Sequence, residues 1–173
     1  MQEQIARFAK QQGGDPDRLI VYLFKRTGKR ELWAVKKAID DRDIEFALLH
    51  VNRDSPLWLV ERNGSSITSP ARGTMVELGA SDRLLVTGDP KKPGASHPLR
   101  LTLDAKSTYT EMNRLAEQAY GFTKTSYRGF LQSSEPSPIL FGRLLAQKVE
   151  QLVPYGFNPA SAAGPLGDNP WFI

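Results

Sequence analysis

The run Leu19-Ile20-Val21-Tyr22-Leu23-Phe24 constrains this chain more than any other feature. Six successive apolar or aromatic residues with no alternation are how a strand buried on both faces reads, because period-two alternation needs one face in water. Only a short helix precedes the run. In Gln2–Gln11 the residues Ile5, Phe8 and Ala9 share one side, and Gly13-Gly14 with Asp15-Pro16 end the segment. A fully buried central strand needs neighbours on both edges. Part of its sheet is therefore expected from elsewhere, either a separate chain or a region upstream. A linker, Lys25 to Lys29, leads into a helix from Arg30 to about Asp40 with Leu32, Val35 and Ile39 on one face. A strand follows at Phe46–Val51.

Downstream, Asp54-Ser55-Pro56 marks a turn, Leu57–Val60 reads as a short strand, and Asn63-Gly64 signals a tight turn. Residues Gly73 to Thr87 read as a hairpin turning at Gly79–Asp82. The polar stretch Asp89–Pro98 suits an exposed connection. Leu99–Leu103 alternates as a strand, and Thr108 with Glu111 has capping-box spacing ahead of a helix through about Tyr120. A further helix spans Pro138 to Leu152. The tail from Pro154 is rich in proline, glycine and alanine, yet it closes on Trp171-Phe172-Ile173, which is expected to dock. This order predicts one α/β domain over residues 1–173, a mixed sheet with flanking helices.

Composition removes several functions. The chain has no cysteine, which excludes disulfides, thiol catalysis and cysteine-ligated metals. His50 and His97 are the only imidazoles and have no local ligand spacing. No apolar run approaches the roughly 20 residues of a membrane span, and the first residues lack a secretory core, so a cytoplasmic location with no membrane partner is expected. A net charge of +4 leans toward polyanionic partners.

On a helical wheel of Pro138–Leu152, the residues Phe141, Leu144, Leu145, Val149 and Leu152 form an apolar arc with Lys148 in its middle. Either the Lys148 stem packs while its ammonium snorkels to water, or the cation meets a buried anion such as a phosphate. Ahead of this helix, Phe122-Thr-Lys-Thr-Ser-Tyr-Arg-Gly-Phe130 gathers hydroxyls, two cations and aromatics. Such groups donate to phosphates without reading bases, although solvated turns share the composition.

The succession of the Phe-Thr-x-x-Ser-Tyr-Arg loop, Glu135-Pro136-Ser-Pro-Ile-Leu-Phe-Gly-Arg-Leu-Leu-Ala146 and the terminal Pro170-Trp-Phe-Ile173 resembles the end of prokaryotic Argonaute PIWI domains. Arg18–Lys25 followed by Glu31, and Pro70-Ala-Arg-Gly-Thr74 with its hairpin, are similar to earlier parts of the same domain. The resemblance covers most of the chain, about the C-terminal half to two-thirds of a PIWI domain. Each motif is degenerate, and their order carries the likeness. It implies a ribonuclease-H-like fold that holds a guide RNA or DNA and pairs it with a complementary target strand. The guide 5′ phosphate would sit between PIWI and a MID domain absent from this chain. By the same resemblance Lys148, with Gln147 beside it, meets guide phosphates, and Ser126, Tyr127 and Arg128 form a backbone-contacting loop. The terminal carboxylate of Ile173 would help to hold a divalent cation, Mg2+, at that phosphate. Implied partners are the complementary MID/PIWI half and an associated effector protein.

Cleaving members of the family carry an acid just after the first of these strands and a histidine or acid in the last helix, completing a set for two metal ions. Here Phe24 or Thr27 takes the first position, depending on register, and Arg143 the last. A catalytically inactive binding module, in defence against plasmids and phages, is therefore expected. Two alternatives stand beside it: an active metal-dependent nuclease, for which Glu31, Asp54 and Glu77 are acids outside the motif positions, and a protein-interaction domain with an incidental basic face.

Overall fold

The structure, a computed structural model, describes residues 1–39, 42–88, 97–125 and 132–158, with the side chain of Asn63 excepted. The chain divides into two compact units, Met1–Gln118 and Ala119–Ile173.

The first unit is built on a five-stranded mixed sheet in the order β1-β2-β7-β6-β5. Strands β1 (Arg18–Leu23) and β2 (Glu45–Asn52) are parallel and joined through helix α2 (Lys29–Ile39), with Leu19 opposite Phe46 and Leu23 opposite His50. The other pairings in this sheet are antiparallel: β2 with β7 (Leu99–Leu103), β7 with β6 (Asp82–Leu85), and β6 with β5 (Met75–Gly79). Helices α1 (Gln2–Gln12) and α2 contribute to one apolar layer. Ile5, Ala38 and Ile44 cluster with Leu19 and Ile39, while Val35, Phe46 and Leu48 cluster with Leu19, Val21, Leu23 and Leu32. The interposed Ala47 and Leu49 point to the opposite face and are also fully buried.

The most buried strand is thus β2, and β1 lies at the sheet edge with Leu19–Leu23 only half-buried. Within this chain the first strand therefore stands at an edge, and the neighbour expected from elsewhere would lie on its outer side. A continuous apolar run is equally satisfied by a strand with helices against one face and partial cover on the other. Among the described residues no strand pairs with the outer edge of β1.

Two further readings change. Leu57–Val60 forms no strand: Leu57, Trp58 and Val60 are exposed, and the strands here are β3 (Glu61–Asn63) and β4 (Ser66–Thr68), a separate hairpin closing at Gly64 with φ 62°. The Asn63-Gly64 turn is where the sequence put it. Thr108 does not cap the following helix, α3, which spans Met112–Thr123. Its hydroxyl instead accepts the Phe46 amide at 2.8 Å, and the Ser107 hydroxyl accepts that of Leu48 at 3.0 Å. The amides of Thr108 and Asp104 in turn donate to the carbonyls of Phe46 and Leu48. Residues 104–108 therefore complete the edge of β2 beyond the end of β7, satisfying backbone groups that burial would otherwise strand.

Helix α3 buries Met112, Leu115, Ala116 and Ala119 at helical spacing. In the second unit α4 spans Ser137–Leu152, entered through Pro136 with Pro138 in its first turn, where a missing N–H costs nothing. A single 3-10 turn, Val153–Tyr155, follows it. No helix among the described residues is long and apolar enough to cross a membrane.

Candidate nucleic-acid interface

Of the residues expected to touch nucleic acid, Lys148 and Gln147 are described, and both are exposed on the C-terminal half of α4. The neighbouring Phe141, Leu144, Leu145, Val149 and Leu152 are half-buried, and the buried residues of the helix are Ser137 and Ile139. Lys148 therefore reaches solvent from within the half-buried apolar arc. Ser126, Tyr127 and Arg128 lie outside the described residues, as do Ile173 and the carboxylate expected to hold Mg2+.

The base of α4 is tied by polar contacts. Glu135, 3% exposed, accepts two hydrogen bonds from the Arg143 guanidinium, at 3.3 Å from Nε and 2.8 Å from Nη2. A carboxylate this buried must be matched, and two donors of the arginine fork converge on its Oε2. The Thr125 and Ser137 hydroxyls lie 3.0 Å apart, and the Ser133 amide donates to the Thr123 carbonyl. Arg143, which the resemblance set at a position expected of an acid or a histidine, thus has a structural partner.

The other such position follows β1. Phe24 is 69% exposed, whereas Thr27 turns inward, its hydroxyl 3.3 Å from His50 Nε2. His50 Nδ1 lies 2.7 Å from the Lys25 carbonyl, which can only accept, so Nδ1 carries the proton. In the neutral ring Nε2 is then the acceptor for Thr27. Asp104 Oδ2 stands 3.5 Å from the same nitrogen, beyond a good hydrogen bond. Burial opposes ionisation of Asp104, but the Lys106 amide, with His50 adding to it when its ring carries both protons, outweighs this and holds the carboxyl below its ordinary range. The cluster is not a nucleophilic triad, because Thr27 and Asp104 address one ring nitrogen instead of opposite ones. Its effect is to pin the loop after β1 to β2. Sequence reasoning missed it, since His50 lies 23 residues from Thr27 and 54 from Asp104 and only the sheet brings the three together.

The remaining acids weighed as nuclease candidates are dispersed. Glu31 folds over the first turn of α2, bonding the backbone of its own residue and of Gly28, with Lys25 Nζ at 3.6 Å; its carboxyl is held below the ordinary range chiefly by its own amide, with Lys25 adding to it. Glu77 pairs with Arg83 at 3.4 Å, and Asp54 is exposed, with its amide donating to the Asn52 side chain. Among the described residues no group of three histidines or carboxylates is arranged to hold a metal ion.

No family model matches the chain. Its sequence is 26% identical over 152 residues to a Piwi protein of Archaeoglobus fulgidus, covering 80% of this chain and 35% of that protein. It is 29% identical over 129 residues to an Argonaute of Cereibacter sphaeroides, covering 65% of this chain and 17% of the other. The fold matches that of Clostridium butyricum Argonaute, solved with a guide DNA and a 19-mer target DNA, with a TM-score of 0.68 at 20% identity over 85% of this chain and 19% of that one. The chain therefore spans about a third or less of the length of each.

Proposed function

We propose that this chain, similar in sequence and fold to part of a prokaryotic Argonaute PIWI domain, contributes to guide-dependent nucleic-acid binding without cutting the target. The observation that carries the reading is the sequence likeness to Piwi and Argonaute proteins over 65–80% of the chain, joined to the same fold. On this reading the guide RNA or DNA supplies specificity by base pairing with its target. Lys148 and Gln147 on α4 offer a cation and an amide to the guide phosphates, and the terminal carboxylate holds Mg2+ there.

Loss of cleavage is supported by what stands at the two positions where the family's nuclease needs acids. Thr27 is engaged with an imidazole, and Arg143 with a buried carboxylate. Two-metal hydrolysis requires carboxylates converging within a few ångströms of one another, whereas Glu31 and Glu77 serve local ion pairs and Asp54 is exposed. An associated effector would then carry out the destructive step in defence against plasmids and phages. The open outer edge of β1 supports a complementary PIWI half supplying a strand there.

The test is binding of a short 5′-phosphorylated guide, with and without magnesium, to the chain assembled with its complementary half. Removing the phosphate, substituting Lys148→Ala, or extending the C-terminus should each weaken binding, by roughly tenfold for the lysine. Affinity indifferent to all three would remove the guide-binding reading. Target cleavage in magnesium or manganese would favour the nuclease instead.

A further inference from the structure

We infer that the solvent face of α2 is a separate binding surface for single-stranded nucleic acid, with Trp33 as a stacking platform inside a cationic stripe. Between Lys25 and Lys37 the chain carries six cations (Lys25, Arg26, Lys29, Arg30, Lys36 and Lys37) against one acid, Glu31. That segment nets +5 in a chain that nets +4, so the whole positive excess is concentrated there.

The helix sorts these charges. Val35 and Ala38 face the core, with Leu32 and Ile39 beside them. At 100° per residue the exposed side runs Lys36, Lys29, Trp33, Lys37, Arg30, so the indole falls in the middle of four cations along roughly 12 Å of helix. Trp33 is 63% exposed, and Lys37 Nζ sits 4.7 Å from the centre of its ring. That cation–π contact sets a charge over the ring, most of whose surface remains in solvent. Glu31 is turned away into the first turn and toward Lys25, so it does not neutralise the stripe. Arg26 extends the positive field into the preceding loop, where Phe24 is also exposed.

An exposed indole offers a flat face to a ligand, and the charges around this one select what would lie on it. A polyanion with planar bases satisfies both: phosphates displace counterions along the lysines and arginines while an unstacked base lies on the indole. A duplex would present phosphates only, since its bases are already stacked. An anionic membrane would need an apolar face on the helix, and the apolar face of α2 is occupied by the core of the protein. The stripe shares no residue with the Lys148 region, and the inference does not depend on the guide-binding reading.

The experiment titrates the full chain with short oligothymidylate lacking a 5′ phosphate, following tryptophan fluorescence at several salt concentrations. Trp33→Leu assigns the signal among the three tryptophans. The stripe predicts quenching that Trp33→Leu removes, together with at least about a fivefold loss of affinity. Replacing Lys29, Arg30, Lys36 and Lys37 by alanine, a strong helix former, should flatten the dependence of log affinity on log salt by up to about 3. Circular dichroism checks that the helix persists. Lys10→Ala, which removes an exposed cation of α1 outside the stripe, should leave these readouts unchanged, and the missing 5′ phosphate of the probe separates failure of this surface from failure of the guide site. An unaltered salt slope in the fourfold variant overturns the inference. So does equal affinity for blunt duplex without Trp33 quenching, or binding to phosphatidylserine vesicles with none to the oligonucleotide.

Discussion

Tyr22 shows how a single buried group sets a limit on conditions. Burial pushes its phenol up to about 12, from an ordinary 10.0. The unfolded chain therefore loses this proton first as pH rises, and the folded state, which keeps it, is destabilised progressively between those two values. Thermal unfolding measured from neutrality to pH 12 should fall more steeply for the native chain than for Tyr22→Phe. Asp82 works in the opposite direction. Burial opposes its charge, but the Thr102 hydroxyl at 2.7 Å and Arg100 at 2.9 Å outweigh that and lower the carboxyl below its ordinary range. Its contribution is present above the unfolded value near 3.9 and is lost as pH falls through the lower folded one. Asp82→Asn should cost about 1–3 kcal/mol at pH 7 by urea unfolding, and the difference from native protein should shrink toward pH 2. At this scale the sequence was partly readable. Lys148 and Gln147 were legible on a wheel, whereas the Thr27–His50–Asp104 cluster was not, because nothing local in a sequence says that β1, β2 and the end of β7 are neighbours. The stripe around Trp33 was open to the same helical wheel.

At the scale of elements, helix α1 ends at Gly13, whose φ of 77° puts it in the left-handed region while its amide donates to Ala9. Gly13→Ala should destabilise by about 1 kcal/mol in chemical denaturation, whereas Gly14→Ala should be tolerated better, since its φ is not positive. Helix limits were well marked in the sequence because caps and prolines are local chemistry: α1, α2 and α4 fall within a residue or so of the expected spans. Strand roles were less so. The run Leu19–Phe24 gave the strand but not its place, since edge or centre is decided by which chain lies alongside. Thr108 was misread for the same reason. Its spacing to Glu111 suggests a cap, yet a buried amide on β2 competes for the hydroxyl and wins it.

At the scale of the molecule, the five-stranded sheet ends on one side at β1, which is half-buried and has a parallel neighbour on its inner edge. An uncovered strand of this kind offers a row of backbone donors and acceptors to any extended segment. The isolated chain should self-associate as concentration rises, measured by sedimentation velocity, and addition of a complementary PIWI half should return it to a single discrete species. A monomer that stays monodisperse at high concentration would mean that the edge is protected by other means.

The hydroxyls of Ser107 and Thr108 serve amides that lie 59 and 62 residues earlier on β2. During synthesis, at roughly 5–20 residues per second, Leu48 and Phe46 leave the ribosome several seconds before the groups that complete them. For that interval the most buried strand of the sheet has open backbone positions, and a chaperone able to shield it would find its substrate there. The centre of the sheet is begun early and finished late, so translation speed between these two segments bears directly on how much of the chain reaches its native state.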